Sequence, residues 1–477
     1  MVVETNVLSK FSKQLLQQLN KIDVNIDIEQ LHILNNSFLE AIYKKMDSTY
    51  KEVESQFLSL KSNHMFPDNP TFSVIENDKT RDLPLSEPKI QISKHFYSRF
   101  TAPSIQDILR TKVVYSSSYS LVICGVTVKL QFYSLKKWNS ETPIFSRIMR
   151  VIKRIIFIIY FFRDNTCNTK EILDMDIFLI DVKKKFPKKR MVKLDVENVN
   201  SGFTSFMSDG VKHIITFRNE EKDKIVVHEL IHFFYLDFHS LNCDLSKMVN
   251  VLPTLEFIPN ESYTELMTII FHTALISIES HGNLSIAPII LQTELFFGYF
   301  QCAKLLFHYG YNHVNDFFTP YNGTTDSFYQ NSCIISYYFI KTALLSRFDL
   351  TMVFLKDKMT NYKIDCSETT KDAYKSLFMK CLNDPVFKQN IQKYLHYINT
   401  TVLTEQTDGV NSKVFSSISY GDSINSGNNN TIKKSLTKRK PKYISKKNNK
   451  KSKHTKFIKQ FKHSSLFKSL RMSIVEL

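Results

Sequence analysis

A chain of 477 residues with 43% hydrophobic content carries apolar material for two or three packed units, which excludes a protein disordered throughout. The formal charge of +17 suggests a nucleic-acid binder until it is divided: residues 433–477 hold 16 Lys/Arg and one acid, Glu476, leaving 47 bases against 45 acids, a net of +2, over the first 432. The basic character belongs to the tail and says nothing of the body.

The opening MVVETNVLSKFSKQLLQQL lacks the basic start, apolar run and cleavage site of a secretory signal. Residues 1–61 read as an N-terminal helical region of two amphipathic helices, with apolar positions at Leu8, Phe11, Leu15 and Leu19, then Leu31, Leu34, Phe38 and Ile42. Residues 62–92, polar and proline-containing, read as a linker. Between Val113 and Phe132 β-branched and aromatic residues alternate, as in Val126, Val128, Leu130 and Phe132, which predicts a strand pair. A helix is expected over Ile144–Phe162. Its most lipid-like run, Ile155–Phe162, is eight residues long where a span needs about 20, so no membrane crossing is expected. A strand at Asp176–Val182, the basic turn KKKFPKK and a short strand at His213–Phe217 follow. After Ser262 the pattern is helical to about Ile398, and from Thr400 it stops, so 401–477 reads as a disordered lysine-rich tail. Seven scattered cysteines without a CxxC pair fit a reducing compartment.

The chemistry concentrates in IVVHELIHFFYLDFH, which contains His228-Glu229-Leu230-Ile231-His232. On a helix, positions i and i+4 share a face, so two imidazoles can converge on one ion while Glu229 stands by to handle a proton. Such a pattern arises by chance in roughly one chain of this length in fifty, so the surroundings must decide. Ile225, Val226, Val227, Leu230, Ile231, Phe233, Phe234 and Leu236 make the helix apolar nearly all round, which marks it as buried. Buried imidazoles and a buried carboxylate need polar partners, either backbone carbonyls and a distant base or a single metal ion.

Catalytic zinc usually takes three protein ligands and leaves a fourth position to water. Downstream lies Pro259-Asn260-Glu261-Ser262-Tyr263-Thr264-Glu265, opening an otherwise apolar helix with no Lys or Arg between Lys247 and Lys304. Glu261 and Glu265 are again i and i+4, so one can ligate while the other accepts a hydrogen bond from a ligating imidazole. The plainer reading makes Asn260 a helix cap and Glu261 a partner of the helix dipole. Glu261 is the favoured ligand, with Glu265 and Asn260 as supporting groups or alternative ligands.

HELIH followed by NESYTE resembles the HExxH and NExxxD/E pair of thermolysin-like gluzincins. The resemblance implies His228, His232 and Glu261 as zinc ligands, Glu229 as general base and Glu265 as the acid supporting a ligating histidine, although that last position is more usually Asp. Further blocks, namely KKKFPKK, VNSGFT at 199–204, HIITFRNEEKDKIVVHELIH, LDFHS and NSCIISYYFIKTALL at 331–345, resemble a metallopeptidase family of large DNA viruses named from its motif. Together these imply an α+β fold. A zincin-like domain over 93–400, its motif region at 196–345, would have a small sheet and a mainly helical C-terminal half. They also imply one zinc ion, a protein or peptide substrate of viral or host origin, and a place in the cytoplasm or nucleus of an infected cell or in the virus particle.

Substrate would lie along a sheet edge, with His213–Phe217 as the expected edge strand. His272, His281, His308, Tyr309 and Tyr311 lie downstream as candidate oxyanion donors, but each reads better as a packing residue and none is assigned the role. His239, seven residues after His232, lacks the glycine-bearing spacing of a third histidine ligand and is placed at the surface or behind the site. The tail, with Lys438, Arg439, Lys440, Lys442, Lys446 and Lys447 among interleaved aromatics, could bind nucleic acid or an anionic surface. The competing function is therefore a catalytically inactive metallopeptidase-like scaffold, in a virus particle or nucleic-acid complex, working through that tail.

Overall fold

The computed structural model describes residues 8–22, 36–92, 94–166, 171–206, 212–238, 240–252, 257–321, 323, 328–407 and 464–476. Seven strands make one mixed sheet: β1 (Ser73–Ile75), β2 (Lys89–Ile90), β3 (Tyr115–Ile123), β4 (Val126–Ser134), β5 (Ile172–Phe178), β6 (Gly202–Phe206) and β7 (Lys212–Thr216). Their order across the sheet is β2, β1, β3, β4, β5, β7, β6. The helices are α1 (Lys10–Leu19), α2 (Ser37–Ser62), α3 (Pro103–Thr111), α4 (Pro143–Phe161), α5 (Arg163–Thr166), α6 (Val196–Val199), α7 (Lys222–Phe233), α8 (Asn260–His281), α9 (Ala287–His308), α10 (Val314–Phe317), α11 (Lys341–Ser346), α12 (Phe348–Lys358), α13 (Glu368–Leu382) and α14 (Pro385–Thr407). A π-helix, Ile335–Ile340, runs directly into α11.

The β3–β4 hairpin closes through Cys124 and Gly125, both at positive φ (49° and 79°), the conformation a two-residue turn needs to match the strand twist. From β4 the chain crosses over through α4 to reach β5 in parallel, and β7 adds parallel to β5. Alternation then sorts the side chains. Phe132, Met175 and Ile214 join the main helical core on one face, while Tyr133, Phe178, Ile215 and Phe217 pack with Phe96 and with Ile105 and Leu109 of α3 on the other. The helix α7 lies on the first face, packed against α4, α8, β6 and β7. Among the described residues no helix is long and apolar enough to cross a membrane.

Three expectations shift. The strand expected at Asp176–Val182 starts four residues earlier, because Leu173 and Met175 pair with Val128 and Leu130, and the acids at 174 and 176 disguise the alternation. Residues 62–92 are no linker: they supply β1 and β2, with Val74 and Ile75 fully buried, and α1 and α2 share the common core through Leu15, Ile42 and Met46. Strands of two and three residues are too short to carry a period.

The third shift is the largest. Within the segment read as a disordered tail, residues 464–476 cross the interior of the body. Leu466, Leu470, Met472, Ile474 and Val475 are each 3% exposed or less, and burying such side chains contributes about 1.5–3 kcal/mol apiece. The lysine-rich composition of 433–462 masked an apolar spacing that resumes only after Ser464.

Candidate metal centre

The motif helix α7 is entered through Glu221, held in the left-handed region at φ 58°. It is left through a second such residue, Tyr235 at φ 51°. At that exit the Leu236 N–H donates to the Ile231 carbonyl and the Tyr235 N–H to the His232 carbonyl, the paired closure that ends many helices. A left-handed conformation at a residue other than glycine costs about 1–2 kcal/mol. Here it turns the chain back so that Asp237 reaches the helix it has just left.

One turn apart on α7, His228 and His232 bring their Nε2 atoms within 3.1 Å of each other. The second residue of α8, Glu261, places Oε2 3.2 Å from His228 Nε2 and 3.4 Å from His232 Nε2. On the far side of each ring stands another carboxylate. His228 Nδ1 lies 3.2 Å from Glu265 Oε2, and His232 Nδ1 lies 2.7 Å from Asp237 Oδ2, which also accepts from Thr264 Oγ1 at 2.8 Å.

The carboxylate partners decide the tautomers. An ionised carboxylate can only accept, so each Nδ1 carries its hydrogen and each neutral ring presents a lone pair at Nε2. Two nitrogen lone pairs and one carboxylate oxygen then converge with no donor among them. A cation satisfies such a set, so His228, His232 and Glu261 form a group that could hold a metal ion. The titration directions express the same demand. Burial alone would depress both imidazoles, but Glu261 and Glu265 outweigh it at His228, and Asp237 and Glu261 outweigh it at His232, so both are raised. At Glu261 burial is outweighed by the two rings, and its carboxyl is held well below the usual range.

The Glu229 carboxylate, close enough to both rings to feel their charge, also reaches the edge of the sheet. Its Oε2 accepts from Thr204 Oγ1 at 2.9 Å, and burial pushes its carboxyl up, against the pull of the two histidines. The strand carrying Thr204, β6, approaches so closely that a Cβ on Gly202 would meet the Ile215 carbonyl oxygen at 2.9 Å, Ile225 Cγ2 at 3.0 Å and Glu229 Oε1 at 3.2 Å. From the π-helix, the Tyr337 hydroxyl hydrogen-bonds to Glu261, and its ring lies 6.0 Å from that of His228. An extra residue per turn at that point re-aims the side chains, a common use of π-helical turns.

Glu261 therefore occupies the triad and Glu265 stands behind His228. Asn260 is the first residue of α8, and the cap position belongs to Pro259. Glu265 is also paired with a cation, Lys224, one turn before His228, at 2.6 Å from Oε1 with both side chains fully buried. The strand expected at the sheet edge, His213–Phe217, is internal: β7 pairs with both β5 and β6, so the edge strand is β6, in the VNSGFT block. Glycine and serine in that block hide its β character.

None of the candidate oxyanion donors joins the triad. His272 bonds to the Val475 carbonyl, His308 to that of Val192, Tyr309 to that of Tyr329, Tyr311 to that of Asn250, and His281 to the Ser280 hydroxyl. His239 and the tail residues Lys438, Arg439, Lys440, Lys442, Lys446 and Lys447 lie outside the described residues. Two contributors escaped sequence reasoning. Asp237 offered a signal in its spacing, five residues after His232, and Tyr337 offered one as a phenol inside the apolar run IISYYFI.

A cleft of about 310 Å³ opens near the N-terminal end of α7, lined by Arg150, Lys183, Lys222, Asp223 and Glu476 among others, and its mixed charges lack a convergent donor set. No protein-family model, curated protein or solved structure matches the chain.

Proposed function

We propose that this protein is a zinc-dependent peptidase of gluzincin type, with His228, His232 and Glu261 as ligands and Glu229 as general base. The observation that carries the reading is the triangle of donor atoms with sides of 3.1, 3.2 and 3.4 Å. Zinc bonds of 2.0–2.2 Å at tetrahedral angles set neighbouring donors about 3.3 Å apart, the spacing these three atoms already have. Two imidazoles with one carboxylate suit zinc and not the all-oxygen preference of magnesium or calcium. A structural zinc is usually closed by four protein ligands, and the described residues supply three.

Zinc bound there supplies a Lewis acid that polarises a carbonyl and brings the pKa of water toward neutrality. The residues of the chain do the rest. Glu229, desolvated and fixed by Thr204, takes the proton of an attacking water and returns it to the departing amine. Tyr337, whose hydroxyl hydrogen-bonds to Glu261, is the donor beside the triad that would answer developing charge on the substrate oxygen. Along the outer margin of β6 an extended peptide can add as a further strand, bound through its main chain. Viral or host proteins in an infected cell are the substrates that the motif resemblance favours.

The test is metal analysis of purified wild type and His228→Ala beside cleavage of a mixed peptide library. Wild type is expected to carry about one zinc per chain and to cleave, and the variant to do neither. A folded wild-type preparation that takes up no zinc under saturating supply would end the reading.

A further inference from the structure

The interior carries charges that the catalytic reading leaves unused. On α9, an otherwise apolar helix, Glu294, Gln301 and Lys304 fall at i, i+7 and i+10, one buried stripe, each 1% exposed or less. Tyr338 and Lys341 form a second stripe where the π-helix meets α11. Side chains of this kind stay inside only with partners, because an unpaired buried charge is strongly destabilising.

Their partners are main-chain atoms of residues 464–476. Lys304 Nζ donates to the carbonyls of Leu466 and Ser469, Tyr338 Oη to that of Leu470 at 2.6 Å, Gln301 Nε2 to that of Arg471 at 2.7 Å, and Lys341 Nζ to that of Met472 at 2.8 Å. In the other direction Glu221 accepts the Ser473 N–H at 2.6 Å, and Glu294 accepts the N–H groups of Ile474 and Val475 at 3.0 and 3.1 Å. After one helical turn at Ser465–Lys468 the segment makes no helix of its own, so its backbone groups are answered from outside. This is the manner in which a groove holds an extended peptide.

The same contacts reach the metal ligands. Lys341 Nζ, bonded to the Met472 carbonyl, stands 3.9 Å from Glu265 Oε1, and the other oxygen of Glu265 faces His228 Nδ1. Glu221, which accepts from Ser473, is the residue that starts α7, and its own N–H donates to the Glu476 carboxylate at 3.0 Å. His272 of α8, the helix that carries Glu261, hydrogen-bonds to the Val475 carbonyl. Both ligand-bearing helices thus grip one strip of chain about 200 residues downstream of them.

We propose that residues 464–476 are an internal peptide ligand, bound by main-chain recognition in a groove built from α7, α9 and the π-helix, and that their docking is required for the metal triad to hold zinc. The proposal rests on the zinc reading above. It assigns the groove a ligand class, an extended peptide with apolar side chains at alternate positions, and it makes metal occupancy a function of groove occupancy.

The test uses the full chain with a specific protease site inserted between 408 and 463, cut after folding. The cut fragment containing 464–477 should co-elute with the body on gel filtration and exchange slowly with a fluorescent synthetic peptide of the same residues. Releasing it in mild urea should release zinc in step, and adding the synthetic peptide should restore the metal. Glu294→Gln, which keeps the shape and removes the charge, should weaken zinc binding by about tenfold although it lies outside the triad and its carboxylate partners. A fragment-free body that keeps zinc at wild-type affinity would overturn the proposal, as would an unchanged zinc affinity in Glu294→Gln together with unchanged peptide exchange. Intact wild type that takes up no zinc would instead refute the metal reading, so the two failures are told apart.

Discussion

The two ends of α7 both bury charge, and they do so in opposite ways. At the N-terminal end the lysines have acceptors: Lys184 pairs with Glu221 at 2.8 Å with neither side chain exposed, Lys222 donates to Thr216 at 2.9 Å, and Lys224 pairs with Glu265. At the C-terminal end two ring nitrogens and a carboxylate oxygen face one another with no donor between them. Burial of charge is common to both and therefore marks neither as a site. What distinguishes them is that the lysines at one end have acceptors, whereas at the other acceptors face acceptors.

The contrast can be broken most severely at the base. Glu229→Gln should lower peptide cleavage by roughly 100- to 10,000-fold while zinc content and melting temperature stay at wild-type values. Equal activity in that variant would remove Glu229 from the chemistry. At the lysine-bearing end the expected loss is stability: Lys224→Met leaves the buried Glu265 with only the more distant Lys341 and the His228 ring and should cost about 3 kcal/mol in a urea titration, and a cost below about 1 kcal/mol would show the pair to be dispensable. Asp237→Asn sits between the two behaviours. It leaves the fold intact and should weaken zinc binding by about 10- to 100-fold in a chelator competition, since the ring it orients can then turn.

The smallest effect lies across the sheet from both ends. Burial would lower the pKa of His213, but Asp174 and Asp176 outweigh it and raise it from 6.5 to about 9. A folded-state value above the unfolded one means that the protonated ring stabilises the fold. The contribution is full below about pH 6.5 and is lost as pH rises through about 9. With Asp174 42% exposed and screened, the contribution should be no more than about 2 kcal/mol. Denaturant titrations of wild type at about pH 6 and pH 9.5 should differ by that amount, and those of His213→Gln should not. Equal slopes for the two proteins would discard the assignment.

Much of the metal triad was legible because helical spacing is rigid: His228 and His232 share a face whatever surrounds them, and Glu261 opens the next polar step on an apolar background. The strand pair within Val113–Phe132 and the helix over Ile144–Phe162 were legible for the same reason, their periods being long enough to read. What stayed hidden depends on contacts between distant segments. Lys224 answers Glu265 from 41 residues away, β6 joins the sheet on the strength of a glycine that packs against a helix, and residues 464–476 bury themselves against helices that lie 131 residues or more earlier. No local pattern encodes such pairings, and a lysine-rich neighbourhood actively misdirects the reading of the last.

Gly202 sets a tolerance that nothing else in the fold can adjust. Since β6 rests on both the neighbouring strand and α7 with no room for even a methyl group, the outer margin of the sheet and the carboxylate of Glu229 are held at a fixed offset. Any larger residue would act as a wedge, lifting the margin of the sheet away from the Glu229 carboxylate. The smallest side chain in the protein thus serves as the gauge block for the spacing between sheet edge and helix.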